Sequence, residues 1–313
     1  MNPLRPLLLV FAVSGFAAAQ TDVTLVTNWF AEPEHGGFYA ALSDGLYEEA
    51  GLNLTLTPGG PNVAGLSLLA AGRVQFAMTD AASVLFARDE GIPVVAIFGT
   101  FQTLPQGLMY HESQPLEDFT DLAGRTVTIA PGSAYWEYIE AEYDLEGKVQ
   151  VANYNGQIAE WLLDDTRVTQ IYVTSEPYSA EQEGADPGYL KIADSGFNPY
   201  ANIIVTTEAF AAENPEVVRA FVEASQAGWE TFMADPVSYT GVLAAENSEM
   251  SEDLVAWSSE QQVSYITDAN TEASGIGTMS AERWETLYEQ LRGLGLLRGE
   301  QDVSEAFTTE FLP

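Results

Sequence analysis

The sequence predicts an α/β protein built as two parallel-sheet lobes, and three observations carry that expectation. Short β-rich apolar runs alternate with helical patterns through the first two thirds of the chain, the signature of parallel strands joined by crossover helices. The last third reads as helix alone. The chain is also longer than one hydrophobic core usually organises, which favours two lobes.

The strand candidates are 23–28, 52–57, 74–78, 94–98, 126–130, 149–154, 168–173 and 203–206. Helical patterns fill the gaps at 36–49, 63–71, 81–88 and 134–143. Beyond Glu208, Asn214-Pro215 reads as a helix cap with proline at the first position, and Asp235-Pro236 opens another helix in the same way. Ser280 begins a third, with Trp284, Leu287 and Leu291 along one face. One lobe is expected to take residues 20–106 plus 207–313 and the other 109–200. The chain then crosses near 107–111 and 201–206, and two crossings make a hinge.

Residues 1–19 carry one charge, Arg5, then an apolar run over 7–13 and Ala17-Ala18-Ala19 before Gln20. That is the pattern of a secretory signal peptide, and its apolar run is too short for the ~20 residues a spanning helix needs. The expectation is a periplasmic or otherwise secreted protein, soluble after cleavage. The chain has no cysteine, which excludes disulfides, a thiol nucleophile, cysteine-ligated metal and a lipoprotein anchor. With 46 acids against 11 bases and a net charge of -35, nucleic acid and anionic membrane surfaces are unsuitable partners. The two histidines are far apart, so no metal site is legible, and His111 reads as a surface residue.

Several segments share an order and spacing with a known family. Asn28-Trp29, His35-Gly36-Gly37-Phe38-Tyr39-Ala40, Gly45-Leu46-Tyr47 and Gly51-Leu52 come first. Ala71-Gly72-Arg73-Val74-Gln75-Phe76-Ala77-Met78, Gly91-Ile92-Pro93-Val94, Asp121-Leu122-Ala123-Gly124-Arg125, Ser175-Glu176-Pro177-Tyr178 and Asn214-Pro215-Glu216 follow. Together they resemble the thiamine-pyrimidine-type binding proteins, within a group that also holds nitrate, taurine and alkanesulfonate binding proteins. The resemblance implies a type II periplasmic binding-protein fold, a monomer that hands its ligand to an ABC permease and its ATPase, and no cofactor. One branch of that family consists of single-turnover pyrimidine synthases. They carry a cysteine-rich motif that this chain lacks, and only Lys148 and Lys191, both placed before strands, offer a Schiff-base amine.

In open parallel sheets the ligand sits beyond the carboxyl ends of the strands. Arg73, Arg125, Lys148, Arg167 and Lys191 precede strands, away from that side, so an anion clamp is not expected. The strand ends instead offer Asn28, Trp29, Asp80, Gln102, Ser133, Asn153 and Glu176, with His35, Trp136, Tyr178 and Tyr200 close by. Aromatic faces beside carboxylates and amides suit a small aromatic heterocycle, a thiamine-type pyrimidine first and a flavin-like ring next. Plainer roles stand beside these. Asp80 fits a helix cap, Glu176 a first-turn acid, Trp136 a core stripe with Tyr135 and Tyr138, and Tyr200 hinge packing.

Overall fold

The computed structural model describes residues 20–61 and 63–313; the signal-peptide reading of 1–19 lies outside them. Two five-stranded sheets form the frame. The first holds β1 (Thr21–Val26), β2 (Leu52–Thr57), β3 (Phe76–Thr79), β4 (Val94–Phe101) and β10 (Ala201–Thr207), in the order β2-β1-β3-β10-β4. The second holds β5 (Gln106–His111), β6 (Thr126–Ile129), β7 (Gln150–Asn153), β8 (Arg167–Tyr172) and β9 (Pro187–Lys191), in the order β7-β6-β8-β5-β9.

The expected parallel sheets are mixed. β10 runs antiparallel to β3 and β4, and β5 runs antiparallel to β8 and β9. The cause is the double crossing. β4 ends at the cleft, so a strand entered directly from it must start at the cleft and run against neighbours that finish there. Residues 107–111, expected as a crossing, are therefore a central strand, and 201–206 belong to the first sheet. β9 starts with Pro187 at a sheet edge, where the missing N–H costs no ladder bond. Lys191 ends that strand rather than preceding one. His111 is buried, its ring 3.7 Å from that of Trp161, instead of lying at the surface.

The His-Gly-Gly segment is explained by packing. The helix Gly36–Ser43 lies on the long amphipathic helix Pro215–Ala234. A Cβ at Gly36 would stand 2.2 Å from the Phe232 ring, and one at Gly37 would stand 2.2 Å from Trp229. Close approach of two helices thus requires both glycines and seats Phe38 and Trp229 in an apolar core.

Arg283, on the C-terminal helix Ala281–Gly293, ties that helix to both crossings of the hinge. Arg283 donates through Nε to Asn198 O (2.7 Å), through Nη2 to Asn198 Oδ1 and Pro199 O (both 3.0 Å), and through Nη1 to Gln102 O. Gln102 belongs to the outgoing crossing and Asn198 to the returning one. The crossings also meet directly, Leu104 N donating to Asn198 Oδ1 at 2.8 Å. The guanidinium lies 4.2 Å from the centroid of the Tyr200 ring.

Candidate functional site

The cleft between the lobes encloses a cavity of about 340 Å³, within the roughly 300–1,000 Å³ range of small-molecule sites. Its aromatic wall comes from the mouth. Thr27 Oγ1 donates to Trp29 O at 2.7 Å, and Gly59 N donates to the same hydroxyl and carbonyl at 2.9 Å each. A Cβ on Gly59 would stand 2.1 Å from Thr27 O, so only glycine lets the backbones meet there. This clamp presents Trp29 to Tyr154 of the other lobe, ring centroids 6.3 Å apart and planes 15° apart. Tyr135, Tyr172, Phe86 and Phe197 complete the apolar lining.

The polar part is acidic. Glu32, Glu34, Asp80 and Glu176 line the cavity, while among the described residues no lysine or arginine does. Asp80 is spent on its own helix, accepting from Ser83 N at 2.9 Å and Ser83 Oγ at 2.7 Å. Glu176 accepts from Tyr172 N at 2.8 Å and from the Tyr154 hydroxyl at 3.1 Å. Burial pushes the Glu176 carboxyl up, against those hydrogen bonds. Burial pushes Glu32 well above the ordinary carboxyl range, reinforced by the charges of Glu34 and Glu176. Burial raises Glu34 to about 7, partly opposed by a hydrogen bond from Thr174.

An amide network orders the floor. Asn202, in a left-handed conformation at φ +46°, donates to Glu34 O at 3.1 Å and accepts from Asn28 Nδ2 at 2.9 Å. Asn28 Oδ1 is then the acceptor for His35 Nε2 at 3.0 Å, which leaves Nδ1 as the ring's lone-pair nitrogen. Nδ1 is buried with no partner, and burial lowers His35 to about 4, so the ring is neutral at neutral pH. Among the described residues no group of three His, Asp or Glu side chains is arranged to hold a metal ion.

Of the residues picked from the sequence, Asn28, Trp29, His35, Asp80, Ser133 and Glu176 line the cavity. Five others lie elsewhere, each for a local reason. Gln102 turns inward, Nε2 donating to Gly99 O at 3.2 Å and Thr278 O at 2.9 Å. Trp136 is buried in the second lobe, because one step of helix turns it away from the cavity that Tyr135 faces. Asn153 is exposed on the edge strand β7, while Tyr154, next in sequence, faces inward. Tyr178 packs on Trp257, centroids 5.5 Å apart. Tyr200 accepts from Ser280 N at 2.9 Å and packs under Arg283. Missed from the sequence were Glu32, Glu34, Tyr135, Tyr172 and Asn202, while at the strand end 153–155 the lining residue is Tyr154 and not Asn153. Glu32 and Glu34 follow Trp29 in the loop beyond a strand end, a signal the strand-end rule could have used.

The two titrating groups act on stability in opposite senses. Glu34, raised from 4.5 to about 7, favours the folded ligand-free protein fully below pH 4.5, and that contribution is lost as pH rises through about 7. His35, lowered from 6.5 to about 4, contributes above pH 6.5 and loses its contribution as pH falls through about 4. Thermal melts of the ligand-free protein and of Glu34→Gln should therefore diverge. From about pH 5 to about pH 8 the unsubstituted protein should lose stability relative to the variant; a constant difference would contradict the assignment of Glu34.

Two lobes hinged by paired crossings around a cleft define the fold of the periplasmic binding proteins. The alkanesulfonate-binding protein SsuA of Xanthomonas axonopodis pv. citri, solved with MOPS bound, superposes with a TM-score of 0.68 at 14% identity, covering 94% of this chain and 100% of that one. The sequence model of the NMT1/THI5 like family matches residues 32–238, and the chain belongs to that family. The riboflavin-binding protein RibY of Chloroflexus aurantiacus is 28% identical over 313 aligned positions, 93% of this chain and 86% of RibY. The formylaminopyrimidine-binding protein of Halalkalibacterium halodurans is 23% identical, covering 99% of each. More distant is the 4-amino-5-hydroxymethyl-2-methylpyrimidine phosphate synthase THI11 of Saccharomyces cerevisiae, 25% identical over 69% of this chain and 68% of the enzyme.

Proposed function

We propose that this protein is the extracytoplasmic substrate-binding component of an ABC importer and that it captures a small aromatic nitrogen heterocycle bearing N–H donors. A thiamine-type pyrimidine is the first choice. The carrying observation is the cavity itself, aromatic walls around four carboxyl side chains with no lysine or arginine in the lining. Carboxylates raised by burial gain most from a ligand that brings donors or positive charge to them. Alkanesulfonates and nitrate bring the opposite charge, and taurine brings a sulfonate that no lysine or arginine of the lining would pair.

A flavin is the second reading, favoured by the 28% identity to RibY across most of both chains. An isoalloxazine ring would be held mainly by stacking at Trp29. A single-turnover synthase is the weakest reading. The chain has no cysteine, Lys148 pairs with Asp144, and neither Lys148 nor Lys191 is among the cavity's lining residues. We therefore assign no catalytic step. The permease and its ATPase are the proposed partners and the periplasm the proposed compartment; no helix among the described residues is long and apolar enough to cross a membrane.

Intrinsic fluorescence tests the stacking. A heterocycle should quench emission in the unsubstituted protein and in Trp136→Phe alike, since Trp136 lies in a core. In Trp29→Phe the quenching should largely vanish. Undiminished quenching in Trp29→Phe would contradict a ring seated at the mouth.

A further inference from the structure

We propose that Glu34 couples ligand capture to closure of the lobes, one carboxylate oxygen taking a donor from the ligand while the other holds the far lobe. The inference rests on the reading of the cleft as a site for an N–H-bearing heterocycle. Glu34 sits on the single 3-10 turn Pro33–His35 of the first lobe and is only 1% exposed. Its Oε1 accepts from Thr174 Oγ1, just beyond β8 in the second lobe. Ser258 Oγ, on the helix Glu252–Ile266, donates to the same oxygen at 3.4 Å.

Oε2 is different. It is buried without a hydrogen-bond partner, although Glu34 lines the cavity. A buried acceptor left unmade is costly, and a ligand N–H is the group that would complete it. Other contacts join the lobes at Trp29 with Tyr154, Tyr178 with Trp257, and Tyr172 with Asn202. None of those six side chains carries a buried unpartnered polar atom. Among these inter-lobe contacts of the described residues, Glu34 combines a bond across the cleft with a buried, unpartnered acceptor on a side chain that lines the cavity. Once a donor reaches Oε2, the ionised carboxylate is stabilised and accepts more strongly from Thr174, so ligand binding strengthens the bond that holds the lobes.

The absence of native cysteine allows the test by spin labels placed on each lobe, at Leu163→Cys (88% exposed) and Val237→Cys (39% exposed). Pulsed electron–electron distances would be recorded with and without formylaminopyrimidine as the probe. In ligand-free protein at about pH 8, above the value to which burial raises Glu34, Thr174→Val should lower the closed-to-open ratio by about tenfold, the loss of one hydrogen bond to a charged group. The probe should restore closure in Thr174→Val in part, and should fail to do so in Glu34→Gln, which keeps the side chain's shape. An unchanged ligand-free distribution in Thr174→Val, or full probe-driven closure in Glu34→Gln, would overturn the coupling. If the probe neither binds nor closes the unsubstituted protein, the pyrimidine reading fails, and riboflavin takes the probe's place in the same comparison of Glu34→Gln with the unsubstituted protein. The ligand-free comparison would then still decide whether Glu34 holds the lobes.

Discussion

Glu176→Gln is expected to weaken an amino-bearing pyrimidine by about ten- to a hundred-fold while leaving a neutral flavin ring within a few-fold of its original affinity. Glu176 sits where β8 gives way to the helix Glu176–Gln182, its carboxylate fixed by Tyr172 N and the Tyr154 hydroxyl. Each oxygen keeps a further lone pair for the cavity. A charge-assisted bond lost from such a site costs roughly 1.5–3 kcal/mol, which gives the fold-change. Stacking is indifferent to the substitution, because Trp29 and Tyr154 keep their faces. Isothermal titration of the unsubstituted protein and of Glu176→Gln with formylaminopyrimidine and with riboflavin would read the difference. Equal losses for both ligands would assign Glu176 a purely structural role, since it also orders Tyr154.

Arg283→Met should lower the melting temperature by about 3–5 °C without removing any group that lines the cleft cavity. The guanidinium donates to three backbone carbonyls and one side-chain amide oxygen on both crossings, and no carboxylate is paired with it. Methionine replaces the stem's apolar contact with Tyr200 but none of the donors, leaving partly buried carbonyls unsatisfied. The expected cost is about 2–3 kcal/mol, and melting temperature moves by roughly 1.5 °C per kcal/mol in a chain of this length. Differential scanning calorimetry checks it. Because both crossings lose their anchor, the spread of lobe separations should also widen; a lowered melting temperature with unchanged separations would limit Arg283 to stability.

The two lobes were legible because the helix–strand alternation survives in the apolar pattern of each βα unit. The antiparallel strands were not. Gly107-Leu108-Met109-Tyr110-His111 is short and carries no flag of direction, and its role follows from where the chain enters the second sheet. Pro187 argues against a central strand, and only the tertiary position shows β9 at an edge. Within the cleft, strand-end reasoning located Asn28, Trp29 and Glu176 but could not resolve the final step of orientation. Tyr135 against Trp136, and Tyr154 against Asn153, differ by one residue, which a 3.6-residue helix or a two-residue pleat turns to another face. Glu34 was hidden for another reason. A glutamate in a charged loop reads as solvated, and nothing local reveals that Thr174 and Ser258 will bury it.

The cleft is expected to accept a donor-bearing heterocycle and to reject sulfonates, and competitive calorimetry on one protein sample separates these two classes of ligand. Formylaminopyrimidine, riboflavin, taurine and an alkanesulfonate would be titrated in turn into the protein at neutral pH. A heterocycle should bind saturably with one ligand per chain, and neither taurine nor the sulfonate should release measurable heat or displace it. Saturable binding of taurine or the sulfonate, with no response to either heterocycle, would contradict the account.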